Sequence, residues 1–337
     1  MAKDYSSIVV SSRARLSRCF ADVPFPSKMT EEDGRKIIKK VYNVLSVDDE
    51  NFKLYTMKEI PKSEAYIMQE KHLISHDLIE NHESGAVLIN EDETISIMIN
   101  EEDHLREQCI LKGLNIETAY DIINKIDDKI CKKLDVAYDD NLGYLTSCIT
   151  NVGTGLRVSV MLFLPALTLL GKMDNITSNL KKNGFTVRGA YGEVTDSLGY
   201  MYQISNERTL GKTEQEYINQ LKAIVVQICD MEVDARKQLI VTREAEVKDT
   251  VFRAFGILTN CYILKIEEFM RLAGEIKMGI SLNLIRMKDN HIIDKLFNTC
   301  APYSLCAAAG GMVKTSEDEQ KFRAMYVSNI LKNNRVK

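Results

Sequence analysis

Two periodicities alternate along this chain. Ile116, Tyr120, Ile123, Ile126, Ile130 and Leu134 recur at a spacing near 3.6 behind Asn115, which predicts a capped amphipathic helix. Tyr217, Leu221, Ile224, Val225 and Ile228 repeat the pattern behind Thr213 and Glu216, the two ends of a capping box. A third helix is expected from Pro165 to Lys182, with Gly184 just past its end. Short β-branched runs at Ser6–Val10, Ala86–Ile89, Thr94–Ile99, Leu156–Phe163 and Met201–Ile204 predict strands. The short polar link Asn90–Glu93 predicts that the second and third of these pair as a hairpin. The mixture reads as α+β, an antiparallel β-sheet flanked by helices. After about residue 235 the pattern turns mainly helical, so a catalytic domain is expected over 1–235 and a helical C-terminal domain over 236–337.

Composition narrows the class without naming the chemistry. The 337 residues carry 44 Lys and Arg against 48 Asp and Glu, a formal charge of −4, so no broad basic field points to nucleic acid or an acidic membrane. The longest apolar stretch, Val158–Leu170, is interrupted by Ser159, Pro165 and Thr168 and is too short to span a bilayer. The start, Met-Ala-Lys-Asp-Tyr, has no apolar signal core. Eight scattered cysteines without a CxxC pair fit reduced thiols, and a soluble cytoplasmic protein is expected. Nine of the seventeen glycines fall between Gly143 and Gly211, where the chain must bend often or let a ligand approach its backbone.

Three motif-like segments fail on inspection. Gly153-Thr-Gly155-Leu-Arg-Val158 lacks the third glycine of a dinucleotide fingerprint, and Gly211-Lys212-Thr213 has Asn206 where a P-loop needs its first glycine. His72, His76 and His82 have neither a nearby cysteine nor an HExxH pattern, and no metal site is assigned to them.

What remains is a set of arginines and a run of acids. Arg13 and Arg15 alternate after an apolar strand and would leave one face together. Arg106, Arg157 and Arg188 sit in short polar or glycine-rich clusters. Guanidinium forks match phosphate oxygens and keep their charge when partly buried. Asn100-Glu101-Glu102-Asp103-His104 follows a predicted strand, and crowded carboxylates can supply a base or hold a cation. Arginines for a polyphosphate beside carboxylates for a cation suggest phosphoryl transfer from ATP to a positively charged acceptor.

Cys148-Ile-Thr-Asn-Val-Gly-Thr-Gly-Leu-Arg157 resembles the phosphagen (guanidino) kinase signature Cys-Pro-Ser/Thr-Asn-x-Gly-Thr-Gly-x-Arg. Ser11-Ser12-Arg13-Ala14-Arg15, Asn100–Arg106, Arg188-Gly-Ala-Tyr-Gly-Glu193 and Ile204–Thr213 are similar to other active-site segments of that family, in the same order. The similarity covers roughly residues 6 to 235. The family places a small helical domain ahead of the first arginine motif, whereas Arg13 here lies close to the start and about one hundred residues follow the kinase-like part. That layout, with Glu70–Ser75 and Tyr144–Cys148, looks like the bacterial protein-arginine kinase branch, and implies an acceptor pocket open to arginine on a protein surface.

The resemblance implies the roles. Arg13, Arg15, Arg106, Arg157 and Arg188 clamp the phosphates of ATP; Ser11, Ser12, Ala14 and His72 contribute to its pocket. The backbone at Val158, Ser159, Val160 and Met161, and at Gly189, Ala190, Tyr191 and Gly192, lines it. Mg²⁺ comes bridging the phosphates. Glu102 and Glu193 bind the acceptor guanidinium and remove its proton, while Cys148, a thiolate steadied by Thr150, contacts it without forming a covalent intermediate. The resemblance further implies a homodimer, an activator protein and delivery of phosphorylated proteins to a Clp protease in a stress response. Two departures stand out: Ile149 replaces the signature proline, and Glu319-Gln-Lys-Phe-Arg323-Ala324 keeps only the end of the Arg-Asp-x-x-Arg-Ala segment that docks phosphoarginine. A small-molecule guanidino kinase and a catalytically silent ATP- or phosphoarginine-binding adaptor are the alternatives.

Overall fold

A computed structural model describes residues 4–46, 52–189 and 197–336. Ten strands and eleven helices are found among them. The chain begins with β1 (Val9–Arg18), α1 (Glu31–Leu45), β2 (Lys53–Thr56), α2 (Lys62–Glu70) and α3 (His76–Glu80). There follow β3 (Ala86–Ile89), β4 (Ile95–Ile99), β5 (Leu105–Lys112), α4 (Ile116–Lys133), β6 (Tyr138–Asp139), β7 (Gly143–Tyr144) and β8 (Leu156–Phe163). The rest comprises α5 (Pro165–Leu169), α6 (Met173–Lys182), β9 (Phe185–Gly189), β10 (Met201–Asn206), α7 (Glu214–Asn260), α8 (Ile266–Ser281), α9 (Ile292–Thr299), α10 (Pro302–Ala308) and α11 (Ser316–Asn334).

Eight strands form one sheet in the order β2-β3-β4-β5-β1-β8-β10-β9, and β6 and β7 pair separately. The expected hairpin is present, with Ala86 opposite Ile99 and Ile89 opposite Ser96. Two compact units emerge: Met1–Met161, Leu180–Thr186 and Ile204–Val226 form one, and Leu162–Asn179, Val187–Gln203 and Gln227–Lys337 the other.

Several expected elements change shape. The first strand does not end at Val10 but begins at Val9 and continues through the arginines to Arg18, because its pairing with β5 runs from Ser11 opposite Lys112 to Arg18 opposite Leu105. β5 itself escapes hydrophobic reading, since a buried glutamate, Glu107, stands at a core position. The long helix expected from Pro165 to Lys182 is two helices. Gly171 adopts φ +66°, and the Lys172 amide turns back to the Leu167 carbonyl at 2.9 Å, the closing bond of a Schellman turn. α7 begins behind the expected capping box, with Thr213 and Glu216 bonded reciprocally, and is interrupted at Arg243, where φ is −138°.

In the first unit, α4 packs on one face of β1 and β5. Ala14 and Leu16 of β1, Leu105 and Cys109 of β5, and Ile123 and Ile130 of α4 are wholly buried there. Arg18 shares this face, offset by an odd number of residues from Arg13 and Arg15. Its Nε and Nη2 donate to the two oxygens of Asp127 on α4 at 2.9 and 2.7 Å, and its guanidinium lies 3.5 Å from the Tyr144 ring centre. Such a buried pair is costly to break, since removing one partner strands the other charge.

Glu107 lies beside this pair. Burial and the Asp127 carboxylate hold Glu107 protonated well above the usual carboxylate range, with Arg18 opposing. A carboxyl raised on folding takes up a proton, so the stability it confers is complete below its unfolded value of about 4.5 and is lost as pH rises. Glu107→Gln keeps the shape and removes the titration. Urea unfolding should show the variant gaining on the parent between about pH 4.5 and pH 8, by about 1 kcal/mol or more. A gap that does not change with pH would contradict the assignment.

Candidate active site

Strand alternation builds an arginine face opposite α4. On β1, Arg13 and Arg15 project to the side away from Ala14 and Leu16. On β5, Gln108 lies opposite Arg15 and Arg106 opposite Ser17, which places Arg106 and Gln108 on the same side. β8 lies along the other edge of β1 and adds Arg157, with Val158 and Val160 buried on the reverse side. The guanidinium groups feel one another. Burial and the charge of Arg106 lower the pKa of Arg13 to about 10. Burial, then Arg13, Arg106 and Arg157, hold Arg15 well below the usual guanidinium value, with Glu101 alone opposing. The Arg15 Nε is buried without a hydrogen-bond partner. A cluster so disposed fits a polyphosphate, whose oxygens would supply both the missing acceptor and the missing negative charge.

Not every expected residue faces this cluster. The Ser12 hydroxyl donates to the Gly113 carbonyl at 2.7 Å and accepts from the Asn115 amide at 2.9 Å, which ties β1 to the start of α4; Ala14 is fully buried on that same side. Ser11 is half-buried on the arginine side of β1. His72 is exposed at φ +62°, and its carbonyl accepts from Gln108 Nε2 at 2.7 Å; Gln108 in turn accepts from Arg13 Nη1 at 3.4 Å. Ser159 and Met161 follow Arg157 on its face of β8. Arg188 is exposed on β9 and Gly189 ends that strand, both in the second unit. Ala190, Tyr191, Gly192 and Glu193 lie outside the described residues. Arg323 is 1% exposed and donates to the carbonyls of Cys300 and Leu264, both at 3.1 Å, and to Glu319, with Ala324 buried beside it.

The acidic run forms the turn between β4 and β5, and its three carboxylates do three different things. Asn100, at φ +59°, anchors the turn through Nδ2 bonds to the Ser84 and Gly34 carbonyls. Glu101 is buried and ion-pairs with Arg106. Glu102 is exposed, with its amide held by the Glu101 carboxylate at 3.2 Å. Asp103 is buried again. Its Oδ1 accepts from the Ser147 amide at 2.7 Å, the Cys148 amide at 3.4 Å and the Cys19 thiol at 3.4 Å, and its Oδ2 from Asn151 Nδ2 at 2.9 Å. Asp103 therefore positions the loop carrying Cys148, whose half-buried Sγ lies 3.1 Å from the Thr150 hydroxyl.

The glycines of the signature are required by close approach. Gly153 has φ +112°, and a Cβ there would fall 2.5 Å from the Thr209 carbonyl oxygen; Gly155 has φ +65°, and a Cβ would fall 2.5 Å from Arg18 Nη1. The turn seats on the Arg18–Asp127 pair below and on Thr209 beside it.

Comparison with known proteins accords with this geometry. Residues 34–235 match the family model of the ATP:guanido phosphotransferase C-terminal catalytic domain, and residues 244–337 match that of the protein-arginine kinase McsB C-terminal domain. The chain belongs to the ATP:guanido phosphotransferase family. A protein-arginine kinase of Caldanaerobacter subterraneus subsp. tengcongensis is 44% identical over 328 residues, covering 96% of this chain and 97% of its own. One from Clostridium tetani is 41% identical over 330 residues, covering 98% and 97%. Among solved structures, a lombricine kinase aligns with TM-score 0.59 at 27% identity, over 67% of this chain and 66% of its own. The duplicated taurocyamine kinase of Schistosoma mansoni with bound transition-state analogue components aligns at 0.63 and 22% identity, over 94% and 49%, a likeness of fold.

In this phosphotransferase the motif reading singled out Glu102 but passed over Glu101, Asp103, Gln108 and Thr209. Asp103→Ala removes an acceptor shared by four donors. Phosphoryl transfer should fall roughly a hundredfold as the Cys148 loop loses its position, while Mg-ATP affinity, measured by calorimetry, stays within about threefold, roughly 0.6 kcal/mol. Equal losses in both would contradict a positioning role.

Proposed function

We propose that this chain transfers the γ-phosphoryl group of ATP to a guanidino nitrogen of arginine residues in proteins. The observation that carries the reading is the three-way division of Glu101, Glu102 and Asp103: one carboxylate orients a phosphate-facing arginine, one fixes the cysteine loop, and the exposed one between them is left for a cationic acceptor. The names of the relatives, protein-arginine kinases aligned over nearly the full chain, favour a protein acceptor over a free guanidine.

In this reading ATP enters as its Mg²⁺ complex and its phosphates lie against Arg13, Arg15, Arg106 and Arg157; Arg188 belongs to the proposal through the family resemblance alone. The pocket also draws on Ser11, His72 and the strand backbone from Val158 to Met161. The acceptor guanidinium has a pKa above about 12 and attacks poorly while protonated. Glu102 orients it and takes its proton, with Glu193 as the second carboxylate. The freed nitrogen lone pair forms the N–P bond as the bond from phosphorus to the bridging oxygen breaks, and ADP leaves with that electron pair. Cys148 contacts the guanidinium and holds it in line without bonding to phosphorus. The catalytic domain over 1–235, the helical domain over 236–337, a homodimer, an activator protein, a cytoplasmic location and delivery of the products to a Clp protease belong to the same proposal through the family resemblance. Phosphoarginine docking at Arg323 and Ala324 is not included, since Arg323 already donates to Cys300, Leu264 and Glu319.

The test is direct. The protein is incubated with Mg-ATP, an unfolded arginine-containing protein and free arginine, and acid-labile phosphate is measured on each. Label is expected on the protein, falling at least a hundredfold in Glu102→Ala, within the usual worth of a general base, about 10²–10⁴. Label on free arginine alone would establish a small-guanidine kinase, and binding of ATP with no label on either would establish an adaptor.

A further inference from the structure

Ile149 is 85% exposed, a large apolar side chain standing in water directly beside Cys148. It opens the 3-10 turn Ile149–Asn151, and the backbone on both sides is fixed. Asp103 holds the amides of Ser147 and Cys148 and the side chain of Asn151; the Thr146 hydroxyl donates to the Cys148 carbonyl at 2.8 Å. On the far side the Thr209 hydroxyl lies 3.0 and 2.7 Å from the carbonyl oxygens of Thr150 and Val152. The turn therefore has no freedom to tuck Ile149 inward, and its exposure is built in.

Other exposed apolar residues hang from the same scaffold. Leu210, 50% exposed, follows Thr209, and its Cα would lie 2.9 Å from a Cβ placed on Gly153. Leu142, 47% exposed, precedes Gly143, whose backbone lies against Gly153. Tyr138, 58% exposed, pairs across the β6–β7 hairpin with Tyr144, which is bonded to Gly153. Scattered apolar residues on a surface need no explanation, but Ile149 standing on a fixed turn directly beside Cys148, with Leu210 on the segment bonded to that turn through Thr209, marks a recognition surface.

We propose that this rim, centred on Ile149, selects acceptor arginines lying in an extended polypeptide with apolar side chains two residues away. The inference rests on the protein-arginine reading above and specifies its substrate. Free arginine would bring an α-ammonium and an α-carboxylate to this rim, and Ile149, Leu142 and Leu210 offer neither a hydrogen bond nor a charge in exchange for their hydration. A polypeptide brings neutral backbone there instead. In an extended segment the side chains at i−2 and i+2 leave on the same face as the arginine, so they meet the rim when the guanidinium reaches Cys148.

The experiment compares two peptides, Leu-Gly-Arg-Gly-Leu and Ser-Gly-Arg-Gly-Ser, each embedded in the same polar flanks, with free arginine as a third acceptor. Burying one leucine side chain partly against the rim should raise kcat/KM of the first peptide over the second by roughly tenfold. In Ile149→Thr, which keeps the β-branched shape, and separately in Leu210→Ser, that ratio should fall to about threefold or less. A parental ratio near one, or a ratio unmoved in both variants, would overturn the inference while leaving protein-arginine transfer standing. Phosphate on free arginine and on neither peptide would remove both.

Discussion

Four guanidinium groups are held on one face of three neighbouring strands, with Glu101 paired to Arg106 and opposing the charge around Arg15. The rest of the first unit is arranged around that constraint. Like charges brought together in a partly dry environment destabilise the fold unless something else secures the strands that carry them. Here the security lies on the reverse face, where Ala14, Leu16 and Cys109 pack against α4 and the Arg18–Asp127 pair locks β1 to that helix. Arg18 and Arg13 are five residues apart in one strand and serve opposite ends. One is fully paired and structural; the other lies beside the like charge of Arg106 on the opposite face.

The acidic turn joins this charge to the chemistry. A single run of three residues reaches in three directions because its ends are pinned, at Asn100 by backbone carbonyls and at His104, whose Nδ1 accepts from the Phe20 amide at 3.0 Å. The exposed carboxylate of Glu102 thus has both neighbours committed, so its place relative to Arg106 and to Cys148 is inherited from buried bonds and not from its own contacts. The cysteine loop is held the same way from two sides, by Asp103 and Thr209, and its glycines are spent on close backbone approach rather than on flexibility. Preorganisation of this kind lets a site act electrostatically without rearranging at the moment of reaction.

Much of this was legible in the sequence, and what was not has physical reasons. The 3.6 spacing from Ile116 to Leu134 marks α4, and the β-branched runs mark β3, β4 and β8, because in each most of the buried positions are apolar. β1 reads only as far as Val10 and β5 does not read as a strand, because their outward faces carry arginines and glutamine and β5 buries Glu107. Polar residues in those places weaken the hydrophobic signal in the strands that form the site. Residues 165–182 read as one helix because one glycine in a periodic stretch is usually tolerated, whereas Gly171 turns the chain. Motif spacing points to the arginines and Glu102 as candidates but not to Asp103 and Thr209, which act through contacts with residues 44 and 57 positions away that no local pattern encodes.

On the function proposed above, polyphosphate itself completes the charge cluster of the arginine face. Thermal unfolding with inorganic tripolyphosphate, which has neither base nor sugar, tests it most directly. At a concentration near one hundred times its Kd the ligand should add about 2.7 kcal/mol and raise Tm by about 4 °C. Added salt should shrink the shift, and Arg15→Ala should abolish most of it. An unshifted Tm, or an equal rise in Arg15→Ala, would contradict the account.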